Sequence, residues 1–145
     1  MRHVFSGVVW IGIYLALVLA PLLVLLTGPV PPGAGFWWDL SMAIGFAGIA
    51  MLGVQFVLTA RFRYASAPFG LDILYYFHRY MAIFAFVLIC SHYLLIRLVN
   101  PDVLGTANPL TAPWHMTSGR AALLCFAAVI VTAVWRKPLG IPYDA

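Results

Sequence analysis

Residues 71–99 read LDILYYFHRYMAIFAFVLICSHYLLIRLV. Its only acidic, basic or imidazole side chains are Asp72, His78, Arg79, His92 and Arg97. A helix crosses the hydrocarbon of a bilayer with about 20 apolar residues at a rise of about 1.5 Å each. The stretch is therefore predicted to be a membrane-spanning helix, long enough to tilt or to extend past the bilayer. Asp72 suits its start, where a carboxylate meets the positive end of the helix dipole.

Three further apolar runs lie around it. Span 1 is expected at about 7–27, with Pro21 inside it, which membrane helices tolerate when neighbours satisfy the freed carbonyl. The loop after it ends in Phe36-Trp37-Trp38, an aromatic cluster suited to the membrane–water interface. Span 2 is expected at about 40–60. It carries Ser41, Ala43, Gly45, Ala47, Gly48, Ala50 and Gly53. Such small residues permit close helix approach or make room for a flat cofactor. Span 3 is the opening stretch, and span 4 is expected at about 118–135, leaving His115 in the preceding loop. The fold class is all-α, a four-helix membrane bundle in one domain covering 1–145. The apolar stretch from Gly7 to Thr27 is too long for a signal-peptide core, so it reads as a retained span.

Composition agrees. Of 145 residues, 64% are apolar and 8% charged, against about 25% charged in soluble domains. The net charge of +4 comes from sparse basic residues between apolar runs, a topology signal, and no nucleic-acid partner is indicated. Arg2, Arg61, Arg63, Arg136 and Lys137 fall on one side of the bilayer, and Arg120 and Arg97 on the other. The positive-inside rule then places the chain in a cell (inner) membrane with a cytoplasmic N-terminus and His78 nearer the cytoplasmic leaflet. Cys90 and Cys125 read as small core residues. There is no CxxC or CxxCH, and no HExxH or GxSxG; every aspartate lies at a helix end or in a loop.

His78 and His92 are 14 residues apart. At about 100° per residue they project from nearly one face, about 21 Å apart along the axis. Ionisable groups inside spans are costly and mark function. Ala82, Ala85 and Ile89 share that face, which suggests space beside the helix, walled by Phe84 and Phe86. Imidazole is a common axial ligand of haem iron. Two haems at these levels would need cationic partners for their anionic propionates. Arg79, Arg61 and Arg63 are candidates at the His78 level and Arg97 at the His92 level, although these arginines equally suit topology or snorkelling.

Leu71-Asp72, Phe77-His78-Arg79 and His92 together resemble the third helix of the ferric reductase-like transmembrane domain. NADPH oxidases, ferric reductases and bacterial relatives share that domain. The resemblance extends to the arginine-bearing loop before span 3 and to Arg136-Lys137. It implies a six-helix domain with two b-type haems, His78 and His92 each supplying one axial ligand. It also implies electrons arriving from a cytoplasmic FAD and NAD(P)H domain and leaving to ferric iron or dioxygen outside. The sequence departs from the pattern at Pro142-Tyr143-Asp144-Ala145, where a fifth helix with the opposite histidines is expected. The expectation is thus the N-terminal part of such an oxidoreductase, not competent alone. It would be completed by missing C-terminal helices, a partner subunit or a homodimer pairing span 3 with span 3. The alternative is a non-enzymatic anchor or scaffold, its histidines bonding across helices. A small transporter subunit has less support, because no broken-helix repeat is visible.

Overall fold

The computed structural model describes residues 2–29, 33–59, 70–136 and 138–140. Those residues are helical with no strand: α1 (Arg2–Leu26), α2 (Phe36–Thr59), α3 (Gly70–Val99), a short 3₁₀ turn (Pro101–Leu104) and α4 (Trp114–Val134). Four of these helices are long and apolar enough to cross a membrane, and the chain is a multi-pass membrane protein.

Helix starts differ from the hydropathy reading in physical detail. The Phe36-Trp37-Trp38 cluster is the first turn of α2 rather than the end of a loop. Gly35 takes φ 108° immediately before it, a conformation open to glycine. The Asp39 carboxylate accepts from the Ala34 amide at 3.4 Å. α4 starts at Trp114, with Pro113 at its N-cap position, so His115 lies in its first turn. Apolarity alone did not mark these starts, because interfacial turns mix aromatic and polar residues.

The chain forms two compact units, Met1–Leu95 and Ile96–Ala145. In the first, α1 packs on α2, and α3 joins them. Val18 of α1, Met51 of α2 and Ala85 of α3 form the core, with Tyr14, Ala47, Leu52, Met81 and Leu88 against it. Tyr14 meets the Phe77 ring edge-to-face at 5.2 Å. Large apolar side chains such as Leu23, Ile49 and Val87 are exposed, as a surface facing lipid requires. In the second unit, the Arg120 guanidinium donates to the carbonyl oxygens of Thr106 and Leu104, and Leu104 is buried. That arginine holds the loop before its helix, a local role beyond setting topology.

Candidate functional site

α2 and α3 run antiparallel, and their polar residues meet at two levels. Ser41 pairs with His92, and Gln55 pairs with His78. The spacing from Ser41 to Gln55 is 14 residues, the same as from His78 to His92. Matching spacings on antiparallel helices of equal rise bring both pairs into register, about 21 Å apart along the seam. Between them Gly48 faces Ala85, whose carbonyl oxygen lies 3.5 Å from where a Cβ on Gly48 would stand.

At the upper level in chain order of α2, His92 Nδ1 lies 2.7 Å from the Ser41 carbonyl oxygen. A carbonyl only accepts, so Nδ1 carries the hydrogen. Ser41 Oγ lies 3.1 Å from the same nitrogen and donates to the His92 carbonyl at 3.1 Å. Backbone and side chain of the two residues thus form a reciprocal loop. Gly45 makes it possible: a Cβ there would stand 2.8 Å from His92 Nδ1 and 2.9 Å from Cε1. The ring rests against bare backbone.

At the other level, His78 Nδ1 lies 2.7 Å from Gln55 Oε1. Gln55 is 5% exposed and Ser41 1%. Buried polar groups of this kind must be hydrogen-bonded, above all where no water competes. Both histidines are half-buried. In each ring Nδ1 is held by α2, and the remaining nitrogen is Nε2.

The face between the histidines is not a gap. Ala85 is 0% exposed, and a Cβ on Gly48 would stand 2.8 Å from Ile89 Cγ1. The small residues of α2 are spent on close packing against α3, and the space expected beside Ala82, Ala85 and Ile89 is filled by that helix. Phe84 is exposed and Phe86 half-buried. Gln55 was missed by sequence reasoning, although a glutamine inside an apolar span and its spacing from Ser41 were both visible.

Arg79 and Arg97 are exposed on α3. Arg61 and Arg63 lie outside the described residues. Cys90 is half-buried and Cys125 exposed, both free, so Cys125 is not a core residue. Among the described residues no three His, Cys, Asp or Glu side chains converge as a chelating metal site.

Two imidazoles on one span, each hydrogen-bonded by a neighbouring span, make this seam the candidate site of a multi-pass helical protein. A family model described as the ferric reductase like transmembrane component matches residues 44–143. The chain belongs to that family. No curated protein and no solved structure matched it.

Proposed function

We propose that this chain is the haem-binding part of a transmembrane oxidoreductase, with His78 and His92 as axial ligands of two b-type haems. The observation that carries this is the state of the two rings: Nδ1 occupied by α2 and Nε2 left over on both. Histidines that bind metal commonly donate their other ring N–H to a carbonyl or similar acceptor, which fits them for the task. The ferric reductase-like family is generally haem-binding. When bound, the haems would supply one-electron transfer across the bilayer, from an FAD and NAD(P)H module in a fuller chain or partner to ferric iron or dioxygen outside.

The chain's own residues then have defined tasks. His78 and His92 hold Nε2 at two depths about 21 Å apart. Arg79, Arg61 and Arg63 offer cations for propionates at the His78 level, and Arg97 does so at the His92 level. The basic residues Arg2, Arg61, Arg63, Arg136 and Lys137 orient the N-terminus to the cytoplasm, in a cell (inner) membrane. The second ligand at each level comes from another helix of the same gene product, a partner subunit, or a second copy of this chain.

The test is a reduced-minus-oxidised optical spectrum of the purified chain in detergent, supplied with haem. A b-type signal is expected, falling by about half in His78→Ala and in His92→Ala and lost in the double variant. Absence of the signal both from this chain and from the full product of its gene overturns the proposal. The histidines would then remain interhelical hydrogen-bond donors of a membrane scaffold.

A further inference from the structure

The histidines on α3 are fixed by a helix that carries no histidine. We propose that α2 is the positioning helix of this site: Gln55 and the Ser41 carbonyl hold both imidazoles in the Nδ1–H tautomer, so that Nε2 keeps the lone pair at both levels. The inference deepens the haem proposal, because an axial ligand needs that lone pair, but it concerns the chain's own protons and stands without haem.

A neutral imidazole carries one ring hydrogen, and the hydrogen bond made by one nitrogen decides the role of the other. Free histidine in water prefers the hydrogen on Nε2. Here a peptide carbonyl 2.7 Å from His92 Nδ1 and an amide oxygen 2.7 Å from His78 Nδ1 reverse that preference. The peptide carbonyl can only accept, and the Gln55 amide turns its oxygen, not its NH2, toward the His78 ring. In the hydrocarbon no water replaces either bond. Ser41 Oγ then acts at His92 only as an additional acceptor, because its own hydrogen goes to the His92 carbonyl.

The two holds differ in kind. His78 depends on a side chain that substitution removes. His92 depends on backbone, which no substitution at position 41 removes. Gln55 is therefore the residue whose loss frees one ring and leaves the other. It acts through His78 and is a positioning residue.

The experiment is ¹⁵N NMR of the intact, haem-free chain in detergent with labelled histidine. In the wild type, both His78 and His92 are expected as Nδ1–H. Gln55→Leu is expected to return His78 to an Nε2–H majority and leave His92 unchanged. Gln55→Glu, which offers only oxygens, keeps Nδ1–H at His78. Ser41→Ala keeps Nδ1–H at His92. Should the leucine variant lose its helical circular dichroism, Gln55→Ala takes its place. An Nε2–H majority at either ring in the wild type overturns the inference, as does Nδ1–H persisting at His78 once Gln55 is removed.

Haem titration adds a separate readout. Gln55→Leu is expected to weaken haem binding at the His78 level about 10- to 100-fold, with the His92 level unchanged. Gln55→Glu should lower the potential of the His78-level haem, since a carboxylate on Nδ1–H makes the ligand more basic. If the wild type takes up no haem, the haem proposal falls while the tautomer spectra still decide this one.

Discussion

The two levels of the α2–α3 seam use the same ring atom against different acceptors. At His92 the acceptor is the Ser41 carbonyl, with the serine hydroxyl closing a loop back to the His92 carbonyl. At His78 it is the Gln55 side chain alone. The first arrangement needs backbone contact, and so it needs Gly45, where a Cβ would stand 2.8 Å from the ring. The second needs reach, which a glutamine has. Backbone contact makes the His92 level robust to loss of a side chain and fragile to gain of one. The His78 level is expected to behave the other way round.

The largest effect should therefore come from adding volume at position 45. Gly45→Val places branched carbons where the His92 ring now lies, and that ring is held by hydrogen bonds and gives way poorly. Overpacking of this kind costs about 1–3 kcal/mol. Reversible unfolding in mixed detergent should show the loss, and any haem loss should be confined to the His92 level. Gly53, with nothing within 4 Å of its added Cβ, is the control: Gly53→Ala should leave stability unchanged or slightly raised, since alanine is the better helix former. Equal losses at the two glycines would break the contrast.

Much of this seam was legible in the chain before its geometry was known. Apolar run length marks four helices, and the 14-residue step puts His78 and His92 on one face of α3. What covers that face was not legible, because helical periodicity describes a helix by itself and says nothing of its neighbour. Ala85 suggested room for a cofactor, yet Gly48 brings α2 into that room. Gln55 carried a usable signal: its distance from Ser41 repeats the histidine spacing, which is meaningful only once the two helices are known to be antiparallel neighbours. The helix starts at Phe36 and Trp114 were hidden for another reason. Both depend on the backbone just before them, Gly35 and Pro113, rather than on apolarity.

The intermediate effect belongs to Gln55. Removing its amide leaves His78 Nδ1 without the acceptor it now has, in a medium that offers no water. Interhelical hydrogen bonds in membrane proteins average only about 0.6 kcal/mol and reach about 1.7. Gln55→Leu should fall in that range in the same unfolding assay, less than Gly45→Val, while its effect on the His78 tautomer is complete. A stability loss above that range would mean that Gln55 also supports the packing near Met51 and Tyr14, and would sharpen the distinction between packing and positioning.

The smallest effect is expected at Ser41. Ser41→Ala removes the hydroxyl that donates to the His92 carbonyl, yet the carbonyl of residue 41 stays where it is and still accepts from Nδ1. The freed His92 carbonyl keeps its place within α3. The cost should sit at or below about 0.6 kcal/mol, with the His92 tautomer and any His92-level haem unchanged. A large loss here would show that the hydroxyl, and not the backbone, holds His92. The two levels would then be alike, each resting on one α2 side chain, and the tolerance expected of the His92 level would disappear.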